Sequence, residues 1–325
     1  MKKRQFLRAT CAASIALASP HLRAQGAWPI KPILIVNPFP AGGGTDAFAR
    51  PLSIQLTRQL GKQVIIENRG GAGGTVGASI AAKAAPDGYT FFMGAVHHTI
   101  APSMYPKLDY DLEKDFSPLM VVGKVPQVLV VNPEKMPVKT LKEFLDLVRK
   151  NPGKYNYASV GNGTSHHLAG EQFKTLTKTF ITHIPYRGAG PALQDLLAGN
   201  IDLMFDSLGS SAQFIRAGKL KALAVAQPKR VPAFPDLPTF VEAGVAGYEV
   251  SSWYGLWAIK DTPKEIQSKM LEELVKAVQS PALKAVWDSL GAEAVVGTQA
   301  SFASFIASET ARWRAVVKAS GAKLD

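Results

Sequence analysis

Compact apolar and β-branched runs alternate along this chain with longer stretches of helical period. Ile33–Val36, Val64–Glu67, Tyr89–Met93 and Val128–Val131 form one set, and Tyr155–Val160, Ile181–Tyr186, Ile201–Phe205 and Ala222–Ala226 a second. Ser252–Ile259 adds a late aromatic run. Near-continuous runs of this kind suit strands buried on both faces of parallel sheets. Between them, Thr140-Leu141-Lys142-Glu143 and Thr262-Pro263-Lys264-Glu265 read as capping boxes. Gly190-Pro191 opens a helix that Gly199 should close, and Phe302, Phe305, Ile306, Trp313, Val316 and Val317 mark a C-terminal amphipathic helix. Pro51 falls inside the helix expected after Asp46, which predicts a kink or a late start. The alternation predicts an α/β architecture.

Two glycine-rich turns punctuate this pattern, Pro38-Phe39-Pro40-Ala41-Gly42-Gly43-Gly44-Thr45-Asp46 and Ser159-Val160-Gly161-Asn162-Gly163-Thr164-Ser165-His166. Each joins a predicted strand to a predicted helix. The first amides of a helix lack intrahelical acceptors, and glycines let an anion approach them closely. One such turn in each half of the chain predicts a small anion held between two lobes. The late strand and C-terminal helices carry no such turn and are expected to complete the first lobe. The predicted boundaries are 25–126 plus 228–325 for lobe one and 127–227 for lobe two.

Residues 1–24 stand apart from the fold. Lys2, Lys3, Arg4 and Arg8 precede a short apolar stretch, and Leu22-Arg23-Ala24 offers a cleavage site, the pattern of a secretory signal. Export to the periplasm is therefore expected, with the Sec and twin-arginine routes both open. Setting aside the five basic residues of that segment lowers the formal charge from +12 to +7. The single cysteine, Cys11, lies there too, so the mature chain depends on its apolar core rather than on disulfides. The remaining basic residues are interspersed with acids, which argues against nucleic acid as a partner and for a mild field that attracts anions.

Further motifs occur in series with the turns: Glu67-Asn68-Arg69-Gly70-Gly71-Ala72-Gly73-Gly74, Pro86-Asp87-Gly88-Tyr89-Thr90, His166-His167-Leu168-Ala169-Gly170-Glu171 and Pro185-Tyr186-Arg187-Gly188. Together they resemble the Bug family, the periplasmic solute receptors of tripartite tricarboxylate transporters, over essentially the whole mature chain. The resemblance implies a two-lobed, Venus-flytrap periplasmic binding protein of type II-like fold, with its ligand cleft between the lobes. It also implies no cofactor, no catalysis and a monomeric receptor that meets membrane transporter subunits transiently. The implied ligand is a small carboxylate: a di- or tricarboxylate, an acidic amino acid or an aromatic acid. Carried over by motif, Phe39, Ala41, Gly43, Thr45 and Asp46 meet it from one side and Ser159, Gly161, Asn162, Thr164 and His166 from the other. Arg187, Gly188 and Asp206 are further contributors, and His97 occupies a loop where the family commonly has small hydroxyl residues.

Several residues have a structural alternative. Asp46, near a first helical turn, can cap the backbone instead of touching a ligand. Arg187 can clamp a carboxylate or stay solvated, and the family often carries lysine there. Trp253, Tyr254 and Trp257 can floor an aromatic ligand or pack the core. The pairs His97-His98 and His166-His167 invite a metal reading, but adjacent strand residues face opposite ways, so each pair offers a common site only one ligand. Neither glycine run matches GxGxxG with an acid about twenty residues on, and no GxxxxGK(S/T) motif and no GxSxG elbow occurs. A carboxylate-processing exported enzyme and a sensor feeding a signalling system remain the alternatives to a transport receptor.

Overall fold

The structure is a computed structural model that describes residues 28–320 together with 322 and 324. The expected export signal at 1–24 lies outside the described residues. In chain order the elements are β1 (Ile33–Asn37), α1 (Gly44–Leu60), β2 (Val64–Asn68), α2 (Thr75–Ala82), β3 (Thr90–Ala95), α3 (His97–Met104), β4 (Phe116–Val131) and α4 (Leu141–Lys150). They continue with β5 (Asn156–Ser159), α5 (Ser165–Thr177), β6 (Thr182–Pro185), α6 (Ala189–Ala198), β7 (Leu203–Ser207), α7 (Leu208–Arg216) and β8 (Lys221–Val225). The chain finishes with β9 (Ser251–Ile259), α8 (Lys264–Gln279), α9 (Pro281–Ser289), β10 (Glu293–Ala294) and α10 (Gln299–Ser320).

The strands follow one path, β2-β1-β3-β9-β4-β7-β5-β6, with β8 and β10 also paired to β4. Parallel pairing joins β2, β1 and β3 at one end and β7, β5 and β6 at the other. The two triplets are connected through β9 and β4, which are antiparallel to their neighbours. The expectation of parallel sheets therefore holds for the triplets and fails at the centre. Only the last four residues of β4 were legible as a strand. Its first part carries Pro118, Gly123 and Pro126, and the register against β9 shifts between Pro118 and Met120 and again between Val121 and Gly123. Bulges of this kind accommodate proline and glycine that a regular strand excludes. At Gly123 even a Cβ would collide with the Phe48 ring.

Packing explains most of the remaining pattern. In α4, Leu141, Phe144, Leu145 and Val148 are buried on one face, and Thr140 caps the helix by accepting from Glu143 N. Gly199 closes α6 in the left-handed conformation. Along α10, Phe302, Ile306 and Trp313 are buried, as is Glu309 between them. Trp253 and Trp257 are core residues whose rings pack against Phe302. Tyr254 faces the other side of β9, against Phe48.

Two local expectations need correction. α1 begins at Gly44 and runs through Pro51, which deprives only the Ala47 carbonyl of its helical partner, so there is no late start. Thr262 does not cap α8: its hydroxyl turns back to the Ile259 carbonyl at 2.8 Å, and the helix starts at Lys264 behind Pro263. Among the described residues, no helix is long and apolar enough to cross a membrane.

Candidate functional site

The C-terminal ends of β1, β3, β5 and β7 each lead into a helix N-terminus, as is usual for ligand sites in α/β sheets. The β1–α1 turn is organised by Asp46. Its Oδ2 accepts from Gly42 N at 3.0 Å and Arg50 Nε at 2.8 Å, and its Oδ1 accepts from Asn68 Nδ2 at 3.3 Å. Gly42 takes a φ of 82°, which lets the turn fold back on that carboxylate. Gly43, the N-cap of α1, supplies no side-chain cap, so the first amides of α1 keep their donor capacity.

The β5–α5 turn is stitched internally. Ser159 Oγ accepts from Gly161 N at 3.1 Å and lies 2.6 Å from His183 Nε2. Thr164 Oγ1 donates to the Gly161 carbonyl at 2.7 Å and caps α5 by accepting from His167 N. Gly161 has a φ of 132°, a conformation that side-chain-bearing residues rarely adopt. Behind the turn, the His167 and His183 rings stack with centroids 4.1 Å apart. Burial, reinforced by His167 and Lys174, pushes the His183 pKa down to about 3.

The two turns close onto the opposite half of the molecule. A Cβ on Gly43 would lie 3.4 Å from Ala189, and one on Gly188 would lie 2.6 Å from Pro40. A Cβ on Gly190 would lie 2.5 Å from the Ala41 carbonyl oxygen. From the other side, Tyr105 Oη donates to the Asn162 carbonyl at 3.0 Å, and Ser165 N donates to His97 Nδ1 at 3.1 Å. A cavity of about 310 Å³ lies between these contacts, lined by Phe39, Gly73, Tyr105, Asn162, Tyr186 and Arg187 among others. Arg187 is exposed at its rim. Two larger surface grooves, of about 1250 and 1040 Å³, lie away from the turns.

A buried polar strip adjoins the turns. The Phe39 ring meets His97 edge-on with centroids 5.1 Å apart, and His97 lies 5.4 Å from the His166 ring. His166 Nε2 is 3.5 Å from Asp206 Oδ1. Burial drives the His97 pKa well below its usual value, with help from His166 and His98. His98 serves the fold: its Nδ1 is 3.0 Å from Ala95 N and its Nε2 3.4 Å from the Gly74 carbonyl. Both histidine pairs sit in first helical turns, so the strand-alternation argument applied to them does not hold. Within each pair the rings serve different neighbours. Among the described residues, no group of three or more His, Cys, Asp or Glu side chains is placed to hold a metal ion.

All the candidate positions except Arg187 and the exposed Ala41 are buried or half-buried here. Asp46, Ser159 and Thr164 spend their side-chain oxygens on the turns themselves. Sequence reasoning missed Tyr105, Gly73 and Gln127, whose Nε2 donates to Ser165 Oγ at 3.1 Å. Gly73 at least lay within the Glu67–Gly74 motif, which was the signal available for it. Ser207, which lacks the glycines of a GxSxG elbow, has its hydroxyl 3.2 Å from that of Tyr254.

Parallel triplets bridged by long antiparallel strands, with opposed donor turns at the strand ends, define a periplasmic binding protein. The sequence profile described as "Tripartite tricarboxylate transporter family receptor" matches residues 48–322, and the chain belongs to that family. It is 37% identical over 307 residues to the UPF0065 protein in the tcbD-tcbE intergenic region of Pseudomonas sp. (strain P51), covering 94% of this chain and 91% of that one. It is 36% identical to Protein BugT of Bordetella pertussis, covering 91% of each. Among solved structures, the periplasmic binding protein BugD aligns with a TM-score of 0.88 at 36% identity, over 91% of this chain and 99% of that one. Rpa4515 of R. palustris with adipate gives 0.88 at 35%, over 91% and 99%. MatC (Rpa3494) from Rhodopseudomonas palustris with bound malate gives 0.82 at 34%, over 89% and 100%. Members of this family are substrate-binding receptors.

Proposed function

We propose that this protein is exported by a cleaved N-terminal signal and captures a small carboxylate in the periplasm for a tripartite tricarboxylate-type transporter. The observation that carries the reading is the uncapped start of α1 packed against the start of α6, opposite the β5–α5 turn. Helix N-termini concentrate N–H donors and favour negative charge, so a carboxylate is the ligand this arrangement suits. The adipate and malate bound to two structural neighbours are both dicarboxylates, which supports the same class here.

The ligand-contacting set comprises Phe39, Ala41, Gly43, Thr45, His97, Gly161, Asn162, His166, Arg187, Gly188 and Asp206. Asp46, Ser159 and Thr164 shape the two turns. The halves built on the parallel triplets act as lobes that close on the ligand, with β4 crossing between them at Pro126–Gln127. Residues 228–250 pack Phe240 and Tyr248 against Phe173 and Phe205, which favours a second crossing at Val250–Ser251 over one at 227–228. The protein works as a monomer whose closed form presents a joint surface of both lobes to the transporter.

Catalysis has little support. Among the described residues, the nearest approach to a nucleophile–base pair is Ser159 with His183, but Ser159 is fully buried and bonded within its turn. A histidine with a pKa of about 3 is also a weak base at neutral pH. Thermal unfolding against a panel of dicarboxylates, tricarboxylates, acidic amino acids and aromatic acids tests the reading. At least one carboxylate should raise Tm in a concentration-dependent way. Stabilisation by uncharged solutes or metal ions alone would show the reading to be wrong.

A further inference from the structure

The donor turns account for a carboxylate but leave acceptors unexplained. Asp206 is fully buried at the end of β7. Its Oδ2 accepts from Ser210 Oγ at 2.7 Å and Ser211 Oγ at 2.5 Å. Its Oδ1 has no hydrogen-bond partner, and neither ring nitrogen of His166 has one, although His166 is only 4% exposed. The 3.5 Å between Asp206 Oδ1 and His166 Nε2 makes them neighbours without a hydrogen bond. Buried polar atoms in folded proteins nearly always have a partner, because leaving one unmet is costly. A carboxylate oxygen without a partner asks for a donor. A second ligand carboxylate, being an acceptor, cannot meet that need at Asp206.

The position of this pair ties it to the ligand. His166 lies in the first turn of α5, beside the β5–α5 cradle, and its ring neighbours His97, which in turn contacts Phe39 of the other cradle. We propose that Asp206 and His166 select a carboxylate that also carries a hydrogen-bond donor, a hydroxyl or an ammonium group, over the same skeleton without one. Asp206 Oδ1 accepts from that group, and His166 meets its remaining hydrogen-bonding capacity or the adjoining polar part of the ligand. Ser210 and Ser211 hold Asp206 in place by occupying its other oxygen. The inference rests on the carboxylate-receptor reading and narrows it, since the donor turns by themselves do not separate one acid from another.

Isothermal titration with matched acids tests it: succinate against malate and aspartate, adipate against 2-aminoadipate, and phenylacetate against mandelate. In at least one pair the donor-bearing acid should bind about tenfold more tightly or better, the scale of one charge-assisted hydrogen bond. In Asp206→Asn that ratio should fall to roughly threefold or less. His166→Phe, which keeps a ring and removes both nitrogens, should lower the ratio as well and serves if the first variant does not fold. Equal or weaker binding of the donor-bearing acid in every pair would overturn the proposal. So would a ratio that survives in a folded Asp206→Asn protein. If no acid of either kind binds, the carboxylate reading itself falls, and this refinement falls with it.

Discussion

Gly190 offers a test in which local and global effects have opposite signs. It lies in the first turn of α6 and does not adopt a positive φ, so nothing in its own backbone requires glycine. Alanine is the better helix former by about 0.5–1 kcal/mol in a helix interior, and by less near an end. Yet a Cβ at this position would stand 2.5 Å from the Ala41 carbonyl oxygen, which belongs to the turn on the other half of the molecule. A backbone oxygen held between Pro40 and Gly42 cannot move aside as a flexible side chain could. Overpacking of this kind costs about 1–3 kcal/mol. If the two halves separate in the ligand-free protein, the clash is felt only on closure. Gly190→Ala should then leave stability to denaturant unchanged or slightly higher, while the best ligand binds roughly 5- to 150-fold more weakly. Urea unfolding without ligand and calorimetric titration with it measure the two quantities separately. Unchanged affinity, with ligand-free stability lowered instead, would show that Ala41 and Gly190 never part. The lobe-closure mechanism would then be refuted.

Other consequences are more local. Gly161→Ala should weaken binding of every carboxylate alike, because it strains the shared turn at a φ of 132°. Arg187→Ala and His97→Ser should reorder the ranking of ligands, and an unchanged ranking would remove those residues from the specificity set. Glu309 accepts from Trp253 Nε1 at 2.8 Å and Trp313 Nε1 at 3.2 Å, so Glu309→Gln should cost about 1–3 kcal/mol in urea unfolding. Burial pushes its pKa up, but Arg312 and the two indoles more than offset this and hold it below the usual 4.5. Its stabilisation is thus complete above the unfolded pKa and lost as pH falls through the folded one, a loss the glutamine variant should lack. For His98 the charged form is the one disfavoured. Burial lowers its pKa from 6.5 to about 4 despite the Ala95 and Gly74 bonds, so the unfolded chain takes up its proton first. Stability should decline as pH falls from 6.5 towards 4, and His98→Gln should flatten that decline in a pH series of urea midpoints.

Much of this architecture was legible because burial leaves a direct trace in residue type. Strands such as Ile33–Asn37 and Leu203–Ser207 are enclosed by helices or neighbouring strands, and their apolar runs stand out without any knowledge of partners. The amphipathic faces of α4 and α10 are equally plain. The first part of β4 was hidden because its prolines and glycine answer to bulges and to the Phe48 ring, features fixed by distant residues. Glu309 was hidden for a related reason. Its carboxylate reads as a surface charge within a helix, and only the two indoles that meet it from β9 and α10 reveal why it is buried.

At the site the division falls differently. The turn residues that carry the family resemblance most clearly, Asp46, Ser159 and Thr164, have their oxygens engaged by Gly42, Gly161, Arg50 and His167. Their chemistry goes into fixing where backbone amides point, a task that does not depend on which acid is bound. Asp206 and His166 behave in the opposite way. Asp206 Oδ1 and both ring nitrogens of His166 lack such internal partners, both residues are buried, and they come from sequence positions forty residues apart that only the β5–β7 pairing and the start of α5 bring together. Motif reading therefore finds the frame that holds a carboxylate. It also brings Asp206 and His166 into the candidate set, but the unmet hydrogen-bonding capacity on which their proposed selectivity rests shows only when partners are accounted for atom by atom.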